Sequence, residues 1–122
     1  MSVRLSDLAP EYQAQARAAG AVSESKYRNE RVEFQGQKFD SRHELVVYLE
    51  RQRQALEGSI RAVVRQVSLP LPGSTRRIRV DFMIVGNDGR IRWEDAKGFE
   101  TEAWRLKRQV VRDAYGIEIE LV

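Results

Sequence analysis

Three charged side chains on two neighbouring apolar stretches carry the chemistry of this sequence. Asp81 lies inside Ile78-Arg-Val-Asp-Phe-Met-Ile-Val85. Asp95 and Lys97 lie inside Arg92-Trp-Glu-Asp-Ala-Lys-Gly-Phe99, with thirteen residues separating the two aspartates. Both stretches read as strands, and Gly86-Asn87-Asp88-Gly89 between them reads as a turn. With Asn87-Asp88-Gly89 as the loop, the hairpin folds about Asp88 and sets Asp81 opposite Asp95. A bulge would shift this register by one position. Opposed side chains on one face have Cβ atoms roughly 4.5–5.5 Å apart. Carboxylates that close repel and raise one pKa unless a cation lies between them. Lys97, two residues beyond Asp95, falls on the same face, and Glu94 falls on the other.

Carboxylates projecting into a cleft, in a chain with no cysteine and one histidine, favour Mg²⁺ or Mn²⁺ over Zn²⁺. Such an ion polarises a phosphoryl oxygen and lowers the pKa of bound water. A lysine beside it orients that water or neutralises charge building on phosphorus. These are the parts that phosphodiester hydrolysis needs. The same spacing suits a surface salt-bridge cluster equally well, and at this level both readings stand.

The elements that must position these groups follow from periodicity and punctuation. Val32, Phe34 and Phe39 flank a turn at Gly36, which predicts a small hairpin. Ser41-Arg-His-Glu44 has capping-box spacing and starts a predicted helix running to about Glu57 and stopped by Gly58. Its apolar stripe is Leu45, Tyr48, Leu49, Gln52 and Leu56. Glu44 lies about 40° from Tyr48 around that helix, so it can cap, lean over the sheet edge, or do both. A valine-rich strand over 62–71 closes on Pro70 and Pro72 and suits an edge near its end. The strand pair 78–85 and 91–97 comes next. Thr101 caps a helix to about Tyr115 with Ala103, Leu106, Val110 and Val111 apolar, and Ile117, Ile119 and Leu121 alternate in a last strand. That last strand most simply pairs in parallel with an earlier one. The expected fold is α/β, a mixed sheet flanked by helices.

Composition fits this frame. The chain has 122 residues, 42% hydrophobic and 32% charged, which suits one folded domain. Residues 1–25 are Ala-, Gln- and Ser-rich and read as a mobile arm or loosely docked helix before a domain over 26–122. A formal net charge of +3 is too mild to identify a polyanionic partner by itself. Arg76, Arg77 and Arg79 cluster before one strand, and Arg105, Lys107, Arg108 and Arg112 crowd the second helix; each group taken alone reads as a solvated face. No apolar run approaches the ~18 residues that span a membrane, and the N-terminus lacks an apolar core long enough for a secretory signal. The absence of cysteine fits a reducing cytoplasm.

The pattern Asp81, thirteen residues, Asp95-Ala96-Lys97 resembles the PD-(D/E)XK nuclease signature. The order helix, three strands, helix, strand resembles that superfamily's restriction-endonuclease-like core. Lys26-Tyr-Arg-Asn29, Phe39-Asp-Ser-Arg-His-Glu44, Val80-Asp-Phe82 and Glu94-Asp-Ala-Lys-Gly-Phe-Glu-Thr101 are similar to pieces of short phage and prophage proteins. That group, long labelled a domain of unknown function, is similar to phage endonuclease I, a Holliday-junction resolvase. The resemblance covers roughly residues 26 to 122. Position 80 departs from it, being Val where the signature has Pro.

The resemblance implies a metal-dependent deoxyribonuclease in a bacterial host cytoplasm, phage- or prophage-encoded. Glu44, Asp81 and Asp95 would hold Mg²⁺ or Mn²⁺, the carbonyl of Ala96 would add a ligand, and Lys97 would be the catalytic lysine. Lys107, Arg105 and Arg108 on the second helix would meet the phosphate backbone, Lys107 foremost. Arg28 and Lys26 in the arm and His43 beside Glu44 are further candidates for DNA contact. Branched or junction DNA is the preferred substrate, and symmetric cutting of two strands implies a homodimer. No nucleotide cofactor and no membrane are expected. The alternatives are a general or site-specific phage nuclease, a DNA-binding module that keeps the fold without the chemistry, and a structural protein whose charges form surface ion pairs.

Overall fold

The computed structural model describes residues 31–122. The arm over 1–25, Lys26 and Arg28 therefore lie outside the described residues. A hairpin of β1 (Val32–Phe34) and β2 (Gln37–Phe39) turns through Gln35 and Gly36, both at positive φ (50° and 78°), as a two-residue hairpin turn requires. Helix α1 (Arg42–Leu56) follows at once. Ser41 caps it, its hydroxyl accepting the Glu44 N–H at 3.1 Å. The reciprocal half of the box is displaced by one residue: the Glu44 carboxylate accepts from Asp40 N–H at 3.0 Å.

The main sheet has the order β3 (Ala62–Pro70), β4 (Arg77–Val85), β5 (Ile91–Asp95), β6 (Ile119–Leu121). β3, β4 and β5 are antiparallel neighbours, and β6, reached through helix α2 (Glu102–Tyr115), runs parallel to β5. The result is a mixed four-stranded sheet with two helices, as the alternation and punctuation require. The β4–β5 hairpin folds about Asp88, pairing Val85 with Ile91 and Phe82 with Glu94. β5 ends at Asp95, so Ala96 and Lys97 follow the strand rather than extend it. Among the described residues no helix is long and apolar enough to cross a membrane.

The sheet separates two apolar clusters. One gathers Phe39, Leu45, Val46, Val47 and Leu49 with Phe82 and Ile84. The other gathers Val80, Trp104, Val111 and Ile119. Strand alternation alone would send Val80 and Phe82 to the same side. They part company at Asp81, opposite which Gln66 interrupts the pairing: Arg65 pairs with Phe82 and Val67 with Val80. Gln66 has φ 52°, a left-handed conformation that breaks the period-two pattern of β3.

Both helices differ in phase from the expected stripes. In α1, Leu45 and Leu49 are buried, but Leu56 is 78% exposed and Gln52 is also exposed. The inward face runs instead through Val46, Val47, Glu50 and Arg51. In α2, Ala103 and Leu106 face solvent, and the inward row is Trp104, Lys107, Arg108 and Val111. The buried Trp104 ring sits on that face in the second cluster, and the two basic residues share its side.

Candidate active site

Both aspartates are fixed by main-chain amides. Asp81 N–H donates to Asp95 Oδ1 at 2.9 Å, and Ala96 N–H donates to Asp81 Oδ2 at 3.0 Å. These reciprocal bonds continue the β4–β5 pairing past Phe82 and Glu94, with carboxylates in place of carbonyls. Asp95 is fully buried; its Oδ2 accepts from Trp104 Nε1 at 3.2 Å and lies 2.7 Å from Lys107 Nζ. Glu94, one residue earlier, points to the opposite face, where Arg51 binds it bidentately at 2.9 Å through both nitrogens.

A cleft of about 110 Å³ opens over these acids, lined by Asp40, Ser41, Glu44, Arg79, Asp81, Ala96, Lys97 and Lys107. The start of α1 supplies one wall, the middle of β4 and the segment after β5 the floor, and α2 the other wall. Glu44 is buried, with Oε1 3.5 Å from both Arg65 and Gln66 side chains. Burial pushes the Asp81 carboxyl up from its ordinary value of 3.8 to about 6, with the charges of Asp95 and Glu44 adding to the effect.

Glu44, Asp81, Ala96 and Lys97 thus line one cleft; Asp95 does not line it but is buried beside Asp81, whose amide it accepts. Lys97 is exposed at the rim. Gly98, at φ 74°, turns the chain immediately after it, and a Cβ there would meet nothing within 4 Å. The left-handed turn alone is sufficient reason for glycine here.

The other basic candidates separate. Lys107 enters the cleft and pairs with Asp95 rather than lying on a solvent-facing helix surface. Arg105 is exposed and pairs with Glu100 at 3.1 Å. Arg108 lies over the Trp104 ring at 5.6 Å and beside Glu118 at 3.6 Å. His43 turns away from the cleft: its Nε2 donates to the main-chain oxygen of Val122 at 2.8 Å, which ties α1 to the residue after β6.

Several cleft residues escape a reading centred on the acids. Arg79 lines the cleft and pairs with Asp40. Its signal is plain in hindsight, since it stands two residues before Asp81 on the same strand. Arg65 and Gln66 reach Glu44 from β3, and the Arg65 guanidinium lies 3.7 Å above the Phe39 ring. Finding them requires the β3–β4 register, which places Gln66 opposite Asp81.

The donors suit a hard divalent cation: the carboxylates of Glu44 and Asp81 line the cleft, Asp95 is buried beside them, and neither sulfur nor imidazole lines it. Among the described residues no three acidic or imidazole groups are already gathered as a cage. In this state protein donors hold the acids instead, Lys107 among them.

The chain belongs to the DUF1064 family, described as a protein of unknown function, which it matches over residues 24–121. No curated protein matches the chain, and no solved structure does.

Proposed function

We propose that the chain is a divalent-metal-dependent endonuclease of the PD-(D/E)XK kind, with a restriction-endonuclease-like core, that hydrolyses DNA phosphodiester bonds. The observation that carries this reading is the convergence of Glu44, Asp81 and Lys97 on one cleft, from three separate segments, with Asp95 buried against Asp81. Glu44, Asp81 and Asp95 would hold Mg²⁺ or Mn²⁺, with the Ala96 carbonyl as a further ligand. When bound, the ion supplies Lewis acidity and a water of lowered pKa. The chain's own groups do the rest. Main-chain amides fix Asp81 and Asp95 before substrate arrives, so little reorganisation remains. Lys97 at the rim orients the attacking water and offsets the charge that builds on the phosphoryl oxygens. Arg79 and Lys107 add positive charge along the same cleft, where a phosphate backbone would lie.

Branched or junction DNA is the substrate we infer from the sequence resemblance. It carries a homodimer with it, since paired cuts need two sites related by symmetry. A second reading, a DNA-binding module without chemistry, draws on the Lys107–Asp95 contact, which already neutralises one of the acids.

Cleavage of labelled four-way junction, linear duplex and single-stranded DNA, each with Mg²⁺ and Mn²⁺, tests these readings. Asp81→Asn and Lys97→Ala serve as controls. Junction cutting abolished by both substitutions supports the proposal. Equal cutting of every substrate keeps the nuclease and removes the junction preference. Salt-sensitive binding without cutting favours the module.

A further inference from the structure

We infer that Lys107 is a tethered counter-ion of the cleft, and that a divalent metal must displace it to reach Asp95. The inference rests on the metal-dependent reading above. Lys107 belongs to the inward row of α2 with Trp104 and Val111, a position that a helix merely covering a sheet would fill with an apolar side chain. It is 24% exposed and its Nζ stands 2.7 Å from the Oδ2 of a carboxylate with no exposure at all.

The oxygens of Asp95 are already engaged by three protein donors. Oδ1 takes the Asp81 amide at 2.9 Å. Oδ2 takes the Trp104 indole at 3.2 Å as well as the ammonium. The indole belongs to a buried ring locked in the second core, so it stays. Lys107 is the movable donor: a compact charge on a four-carbon stem with rotatable bonds, able to swing along the cleft. Two cations that need the same oxygen exclude each other electrostatically. Once displaced, the ammonium remains on the cleft wall across from Lys97 and meets the phosphate instead. A lone carboxylate cluster would be strained by its own repulsion in the metal-free chain. The tethered ammonium relieves part of that strain at Asp95.

The competition is measurable without any cleavage. Mn²⁺ is titrated calorimetrically into the full chain at pH 7.5, without DNA, for the wild type, Lys107→Met and Lys107→Arg. Lys107→Met is expected to bind Mn²⁺ about tenfold more tightly, equivalent to ~1.4 kcal/mol, and to melt at lower temperature in EDTA. Lys107→Arg keeps the charge and is expected to bind like the wild type. If Lys107→Met does not fold, Lys107→Gln retains a donor towards Oδ2 without the charge and gives the same comparison. Equal or weaker Mn²⁺ binding by the neutral variant overturns the competition and leaves the metal site standing. Absence of binding in all the proteins overturns the metal-dependent reading and this inference together.

Discussion

Replacing Asp81 by asparagine removes one of three negative charges from the cleft and keeps an oxygen that can accept the Ala96 N–H. Its effect on stability has a definite sign. The Asp81 carboxyl titrates at about 6 in the folded chain against an ordinary 3.8. Between those values the folded chain holds a proton that the unfolded chain has released, so raising the pH favours unfolding. The stability tied to that proton is intact below about pH 4 and is lost as the pH rises through 6. A shift of about two units corresponds to ~3 kcal/mol at full ionisation. Asparagine carries no such penalty, because its side chain does not ionise. Asp81→Asn is therefore expected to stabilise the metal-free chain at pH 7.5 by about 1–3 kcal/mol, and to match the wild type near pH 4. Urea unfolding in EDTA across pH 4 to 8 measures this directly. The same variant should lose cleavage completely, separating loss of chemistry from loss of fold. A variant less stable than the wild type at pH 7.5, or a difference that persists unchanged at pH 4, refutes the reasoning.

Lys97→Ala changes an exposed side chain at the cleft rim, so its urea midpoint should stay within about 0.5 kcal/mol of the wild type. DNA cleavage by that variant should fall by roughly 100-fold or more; unchanged cleavage would remove Lys97 from the chemistry. Glu94→Gln strips the partner from the buried Arg51 guanidinium and should cost about 3–5 kcal/mol in urea unfolding, without the pH signature of Asp81. A loss below about 1 kcal/mol would mean that water reaches the pair. Gly98→Ala meets no neighbouring atom, yet it forces a left-handed backbone on alanine and should cost about 1 kcal/mol in thermal unfolding.

The sequence carried the hairpin register well because a polar, glycine-flanked loop centred on Asp88 allows few ways to pair two apolar strands. From that one alignment follow the approach of Asp81 to Asp95 and the turning of Glu94 to the other face. The phase of α2 was not legible in the same way. Counting apolar residues favours Ala103, Leu106, Val110 and Val111, yet of these only Val111 is buried and Leu106 is 63% exposed. A count of that kind sends Lys107 to solvent because it sees a charge and not the carboxylate waiting beneath it. Arg108 is hidden for a related reason, since its guanidinium lies over Trp104. Gln66 left no signal in propensity at all. Its left-handed backbone answers the change of sides at Asp81, a demand made by the partner strand.

That change of sides bears on why the acids are where they are. An aspartate in the middle of either apolar cluster would have to be neutralised or expelled. At the seam between the clusters the alternation of β4 breaks, so Val80 turns to one core and Phe82 to the other. Asp81 between them lies midway along β4, where its pairing with β5 stops. There the ladder bonds have run out, and the two carboxylates take their place by accepting each other's neighbouring amides. The same bonds that close the sheet also aim the acids at the cleft. A substitution at Asp95 must then act twice, opening the end of the β4–β5 pairing and releasing Lys107 and the Trp104 indole. Asp81→Asn keeps the geometry and Lys97→Ala touches neither strand, which makes those two the clean probes of chemistry. Asp95 variants report on fold and site at once and cannot separate them.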